Sequence, residues 1–230
     1  MSITKNVSFP NDFGGIHCAV IDNKVLQVSS FRHNYYAEKI DALLNVADGD
    51  VLEIGGGYGG VCYQLFNNFG FNNRYILVDM PIQLANQAFF VMQALPSKRI
   101  VFITKEADLS SAAEADVILI TPDLFRIYAV TKGVSLAFNA HSFTEMDFSV
   151  TEEYLKLIVE MKPNFILSYN HELKYAYRSG GPKIKKHSSM LDKNITDIVA
   201  NHYSLISRFP ELLQGDEYWE YLWQKKNQLS

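Results

Sequence analysis

Short apolar runs without helical spacing alternate along this chain with stretches in which apolar positions recur every three or four residues, a pattern that predicts strand and helix in turn. Strand-like runs are Val51-Leu52-Glu53-Ile54, Tyr75 to Asp79, Arg99 to Thr104 and Phe165 to Tyr169. Val117 to Thr121 and Val134 to Asn139 both read as buried strands, and the later one is taken as the fourth core strand. Tyr36, Ile40, Leu43, Leu44 and Ala47 predict a helix opened by Ser30 as its cap and ended near Asp48-Gly49-Asp50. A second helix spans Val61 to Phe69 before Gly70. A third starts at Pro81 and carries the stripe Leu84, Ala88, Met92 and Leu95. Ser149 and Glu152 form a capping-box pattern that opens a helix through Met161. Near the N-terminus, residues 16 to 28 turn around Asp22-Asn23 as a small hairpin. In the tail, His202 to Arg208 and Tyr218 to Lys225 read as a closing antiparallel pair.

This order predicts an α/β, Rossmann-like chain. Its mostly parallel seven-stranded sheet ends in an antiparallel hairpin and follows a small N-terminal hairpin and helix. We assign residues 1–48 to an N-terminal extension packed on the core and 49–230 to the ligand-binding domain. With 230 residues, 48% of them hydrophobic, the chain can bury one substantial core. A formal charge of −4, with basic residues interspersed among acids, argues against a general nucleic-acid binder. No apolar stretch approaches the ~20 residues of a membrane span, and no charged-then-apolar leader is visible, so a cytoplasmic protein is expected. Cys18 and Cys62 lack metal-type spacing and are expected to be buried, reduced thiols.

The chemistry concentrates where the first core strand runs into Gly55-Gly56-Gly57-Tyr58-Gly59-Gly60. Glycine permits the sharp turn and lets backbone N–H groups approach a ligand, and the following helix adds its partial positive charge. Asp79, closing the second strand, is placed to accept hydrogen bonds from ribose hydroxyls. Gly55, Gly57 and Gly60 fit the dinucleotide spacing G-x-G-x-x-G, whereas Glu53, Gly55, Gly57 and Gly59 fit E-x-G-x-G-x-G. The acid favours the second spacing, because it can organise the loop around a cationic amino acid but would repel a pyrophosphate.

VLEIGGGYGG at 51–60, YILVDMP at 75–81 and NAHSFTEMD at 139–147 together resemble the bacterial sugar O-methyltransferase family of class I S-adenosylmethionine-dependent enzymes, as does the upstream Arg32-x-x-Tyr35. The closing hairpin is also how class I methyltransferase sheets end. The resemblance spans roughly Gly14 to Lys225. It implies S-adenosyl-L-methionine as cofactor and a small-molecule or glycan acceptor. Backbone around Gly55, Gly56, Gly57 and Tyr58 would hold the methionine end, Glu53 would brace the loop, Asp79 would take the ribose and Met80 would lie against the adenine or simply pack in the core. Glu106 or Asp108 would meet the adenine amino group.

A sugar hydroxyl is a poor nucleophile at neutral pH, so a general base is expected to contribute about 10²–10⁴-fold. His141, after Asn139 at the carboxyl end of the fourth strand, is the candidate; the alternative is a hydrogen-bonded structural histidine. Glu145 is either a competing base, the group that orients His141, or a tether of its loop. Asn139 and Ser142 are placed to hydrogen-bond cofactor or substrate, and Asn170 and His171 end the fifth strand on the same crevice, where His171 reads alternatively as a solvent-exposed loop histidine. Glu145 and Asp147 could supply oxygen ligands, but their spacing is not diagnostic and no metal is expected. The acid-free stretch Leu173 to Leu191, with Lys174, Arg178, Lys183, Lys185 and Lys186, is either a lid over an anionic acceptor or a solvated loop. Trp219 and Trp223 would cover the sheet edge or join subunits; the oligomeric state stays open. Two other functions remain: an NAD(P)-dependent oxidoreductase, and a catalytically silent cofactor-binding subunit, since relatives often carry a longer N-terminal region.

Overall fold

A computed structural model describes residues 7–10, 18–171, 175–176, 185–186, 193–211 and 218–226. In chain order the elements are β1 (Cys18–Ile21), β2 (Lys24–Gln27), α1 (Val28–Leu44), β3 (Val51–Ile54), α2 (Gly60–Phe69), β4 (Tyr75–Val78), α3 (Pro81–Ala94) and β5 (Ile100–Ile103). A 3-10 helix (Glu106–Glu114) leads to β6 (Val117–Ile120), α4 (Pro122–Ala129), β7 (Leu136–Ala140), α5 (Phe148–Met161) and β8 (Phe165–His171). The chain closes with β9 (Tyr175–Ala176), β10 (Lys185–Lys186), α6 (Lys193–Ala200), β11 (Tyr203–Pro210) and β12 (Tyr218–Lys225). It divides into two compact units, residues 1–49 with 56–122, and residues 50–55 with 123–230.

In the first unit, β6 lies between β4 and β5, all parallel, with Tyr75 and Ile100 both paired to Val117. Every residue of β4 and β6 is buried, which is why both read as unbroken apolar runs. The β1–β2 hairpin turns through Asp22 and Asn23 at φ 52° and 61°, the left-handed pair of a two-residue turn that asparagine and aspartate tolerate. Pro81 opens α3 as expected, but the buried face is Leu84, Gln87, Ala88 and Val91, and Met92 falls outside it, 55% exposed. Helix α1 begins at Val28, two residues before the expected cap. Gln27 is its N-cap without a side-chain bond, and Ser30 is buried inside the first turn. Cys62 is buried as expected. Cys18 is exposed, because the hairpin strand that carries it presents all four residues to solvent.

In the second unit the strands run β11-β12-β8-β7-β3. β3, β7 and β8 are parallel, with Ile54 beside Asn139 and Asn139 beside Ser168, while β12 and β11 are antiparallel. The closing hairpin is therefore present, and Trp223 is buried within it rather than covering an edge, because β12 is an interior strand. β8 continues past Tyr169 to His171 because β12 pairs with it as far as Tyr218. α5 starts at Phe148 with Asp147 as an N-cap that makes no side-chain bond; Glu152 instead pairs with Lys156 at 2.8 Å. Three core strands in one unit and five in the other make eight, not seven, since Val117–Ile120 and Leu136–Ala140 are both strands. Four consecutive buried residues, all or mostly apolar, are too few for a helix and suit a strand covered on both faces.

Candidate functional site

Polar side chains gather at the carboxyl ends of the parallel strands in each unit. In the first unit, the loop beyond β3 passes through Gly57 at φ 58° and Gly59 at φ 91°, left-handed conformations that favour glycine. A Cβ on Gly59 would stand 2.7 Å from Val91 Cγ2, so the loop also needs glycine to lie close to α3. Gly57 is exposed and a Cβ there would meet nothing within 4 Å, so it is the conformation and not crowding that selects glycine. The Tyr58 hydroxyl lies 3.3 Å from Ser29 Oγ and 3.1 Å from His33 Nδ1, and its ring meets Phe90 edge-on at 4.7 Å, which ties the loop to α1 and α3. Burial pushes the Tyr58 phenol up from its ordinary pKa, with the Ser29 bond opposing it.

Asp79 follows β4. Its Oδ1 accepts from the Met80 amide and its Oδ2 from Gln87 Nε2, both at 2.8 Å. Burial raises the Asp79 pKa against those two hydrogen bonds. A carboxylate has about four acceptor positions, so two remain. Gln87 is fully buried, and its Oε1 has no hydrogen-bond partner. Met80 is 61% exposed, so core packing is not its role.

In the second unit, a buried amide network joins three strands. Asn139 Nδ2 donates to the Ile54 carbonyl at 2.8 Å and to Ser142 Oγ, and Ser142 Oγ donates to the same carbonyl at 3.1 Å. Asn170 Nδ2 donates to Asn139 Oδ1 and to Ser168 Oγ, both at 2.7 Å, while its Oδ1 accepts from the Thr144 amide and hydroxyl at 3.4 Å. Both Asn139 amide hydrogens are thus engaged in holding the end of β3, where Gly55 at φ 77° leaves no room for a Cβ beside Ser142. Glu53 is buried on β3.

Beyond this network stands His141, at φ 66°, a left-handed conformation that costs a non-glycine residue about 1–3 kcal/mol and recurs at functional sites. Its amide donates to the Tyr169 carbonyl at 2.7 Å. Its Nε2 lies 3.5 Å from Glu211 Oε2, an ion-pair separation that is long for a hydrogen bond, and the Glu211 side chain is completely inaccessible. Tyr218 packs its ring 4.4 Å from that of His141 and 5.6 Å from that of His171.

The carboxylate beside His141 is therefore Glu211. Glu145 is exposed, and its amide closes a turn on the Ser142 carbonyl. Glu211 follows Pro210 at the end of β11, and its amide donates to the Tyr218 carbonyl at 2.7 Å. An acid just past a strand-like run was visible in the sequence, but only strand pairing brings it to His141. Asp108 is partly buried and accepts from the amide and hydroxyl of Thr104 and the amide of Lys105, which lowers its pKa and caps the 3-10 helix. Glu106 is exposed in the first turn of that helix. Lys183, Lys174 and Arg178 lie outside the described residues, and of the basic stretch only the backbone of the short β9–β10 pair is described. Among the described residues no helix is long and apolar enough to cross a membrane.

No protein-family pattern matches the chain, and no curated protein matches it. Solved structures do. The glycopeptide N-methyltransferase MtfA, complexed with S-adenosyl-L-methionine, superposes with a TM-score of 0.57 at 12% identity, covering 84% of this chain and 94% of its own. Magnesium protoporphyrin IX methyltransferase ChlM from Synechocystis PCC 6803, with the same cofactor bound, gives 0.55 at 10% identity over 86% and 81%. The methyltransferase domain of bacterial CtHen1-CN gives 0.56 at 12% over 82% and 97%. The chain thus has a Rossmann-like methyltransferase fold.

Proposed function

We propose that this chain is an S-adenosylmethionine-dependent O-methyltransferase that acts on a hydroxyl of a sugar or sugar-containing metabolite. The single observation that carries it is the pairing of His141 with the inaccessible Glu211 at the carboxyl end of β7, on a fold shared with methyltransferases. The residues of the first unit fit the donor. Gly57 offers uncovered backbone, Asp79 keeps acceptor capacity for ribose hydroxyls, and the N-terminus of α2 has no side-chain cap. When bound, S-adenosylmethionine supplies an electrophilic methyl group on a cationic sulfur.

His141 is the general base. Its Nε2 lies beside Glu211, whose carboxylate stabilises the imidazolium that forms when Nδ1 takes the acceptor's hydroxyl proton. The aromatic face of Tyr218 beside His141 suits the apolar face of a sugar ring, and together with the motif resemblance supports a sugar acceptor. Asn139, Ser142 and Asn170 hold the strand ends from which these groups project.

Screening sugar nucleotides and surface-glycan fragments for S-adenosylhomocysteine release tests the proposal. Turnover with a saccharide hydroxyl is the expected result. Donor binding without turnover on any of them would favour the silent-subunit alternative, and binding of NAD(P)H in place of the donor would favour the oxidoreductase.

A further inference from the structure

Helix α1 runs tightly against the start of α2: a Cβ on Gly60 would stand 2.2 Å from His33 Nδ1. Ser29 and His33 hold the Tyr58 hydroxyl, and Arg32, three residues after Ser29, shares that side of the helix. Arg32 is half-buried. Its Nε is inaccessible without a hydrogen-bond partner, and no described carboxylate pairs with it. Its charge is close enough to act on the Tyr58 hydroxyl. The neighbouring α2 N-terminus carries partial positive charge and no side-chain cap. Among the described residues this partly desolvated guanidinium has no counter-charge of the kind such groups ordinarily have.

We propose that Arg32 binds the α-carboxylate at the methionine end of S-adenosylmethionine. The inference rests on the donor assignment above and adds the residue that reads the donor's amino-acid end. The planar fork of arginine matches a carboxylate through two parallel hydrogen bonds, which a glutamine cannot reproduce. The left-handed glycines leave Tyr58 as the side chain of that loop between Gly57 and Gly59, and its hydroxyl is already taken up by Ser29 and His33.

Calorimetric titration of the full chain with S-adenosylmethionine and with its decarboxylated analogue tests this. The unaltered protein is expected to prefer the carboxylated donor by about 10- to 100-fold, the range for hydrogen bonds between charged groups. Arg32→Gln should lose that preference by weakening the carboxylated donor alone, and Arg32→Lys should keep part of it. Equal affinity of the unaltered protein for both compounds overturns the inference, even if the variants fail to fold. So does an Arg32→Gln variant that weakens both alike, which would make Arg32 a support for Tyr58. If the unaltered protein binds neither compound, the donor assignment itself fails and the inference with it.

Discussion

The carboxyl end of β4, with Asp79 against the buried Gln87 of α3, and the carboxyl ends of β7 and β8 both gather polar side chains, and they differ in what those side chains have left to bond. Around Asn139 and Asn170 the amide groups satisfy one another, Ser168 and the end of β3. Around Asp79 the capacity is incomplete: the carboxylate has acceptor positions left, and the buried Gln87 Oε1 has no partner. A missing bond at a buried polar atom costs about 1–3 kcal/mol, so a fold keeps one only where something restores it. Buried polar residues alone therefore do not mark a ligand site, and the capacity left at Asp79 and Gln87 supports the donor site proposed there. The saturated cluster instead gives a rigid base from which His141 projects.

The comparison breaks most visibly at His141. His141→Ala is expected to lower kcat by about 10²–10⁴-fold while donor affinity stays the same. An unchanged kcat would return His141 to a structural role. Within the saturated cluster, Asn170→Ala leaves Asn139 Oδ1 and the Thr144 amide without their partner and should cost about 2–4 kcal/mol by urea unfolding. A loss well below that would mean the network is not saturated.

Asp79→Asn should do the opposite, lowering donor affinity by about 10- to 100-fold with little loss of stability. The Gln87 amide can turn so that its unpartnered Oε1 accepts from the amide group introduced in place of the carboxylate. The sign with pH follows from burial, which raises the folded-state pKa of Asp79 above its ordinary 3.8. The folded protein then holds this proton more tightly than the unfolded chain. The cost of ionisation is absent below about 3.8, grows as pH rises through the folded value and is complete above it. Asp79→Asn removes that cost, so its melting temperature relative to the unaltered protein should improve from acid to neutral pH; a difference that does not change with pH refutes this. The smallest effect is expected at Glu211→Gln, a loss of about tenfold in kcat with KM unchanged, because the ring stays in place and only the imidazolium loses support. A parallel change in KM would show that Glu211 holds the acceptor instead.

Much of the proposed donor side was legible because its determinants are local. The glycine run, the apolar strand before it and the acid closing the next strand fall within 29 consecutive positions, Val51 to Asp79, and each residue's role follows from backbone conformation or strand end. Met80 shows the limit: an apolar residue in a motif reads equally as core, and only its exposure decides. On the acceptor side, Glu145 read as a competing base, as the group that orients His141 or as a tether of its loop, and it lies exposed on a turn that its own amide closes. Glu211, 70 positions after His141, stands beside it because β12 pairs with β8 and the hairpin folds back. Helix starts were missed for a related reason, since serine and glutamate at capping spacing also occur one or two residues inside a helix.

Alternating apolar runs and glycine placement, both short-range properties, determined by themselves the α/β class, the closing hairpin and the turn beyond β3. Only tertiary structure decided which polar groups satisfy each other and which are left wanting a partner, because hydrogen bonding between distant segments depends on which strands become neighbours, which no local pattern encodes.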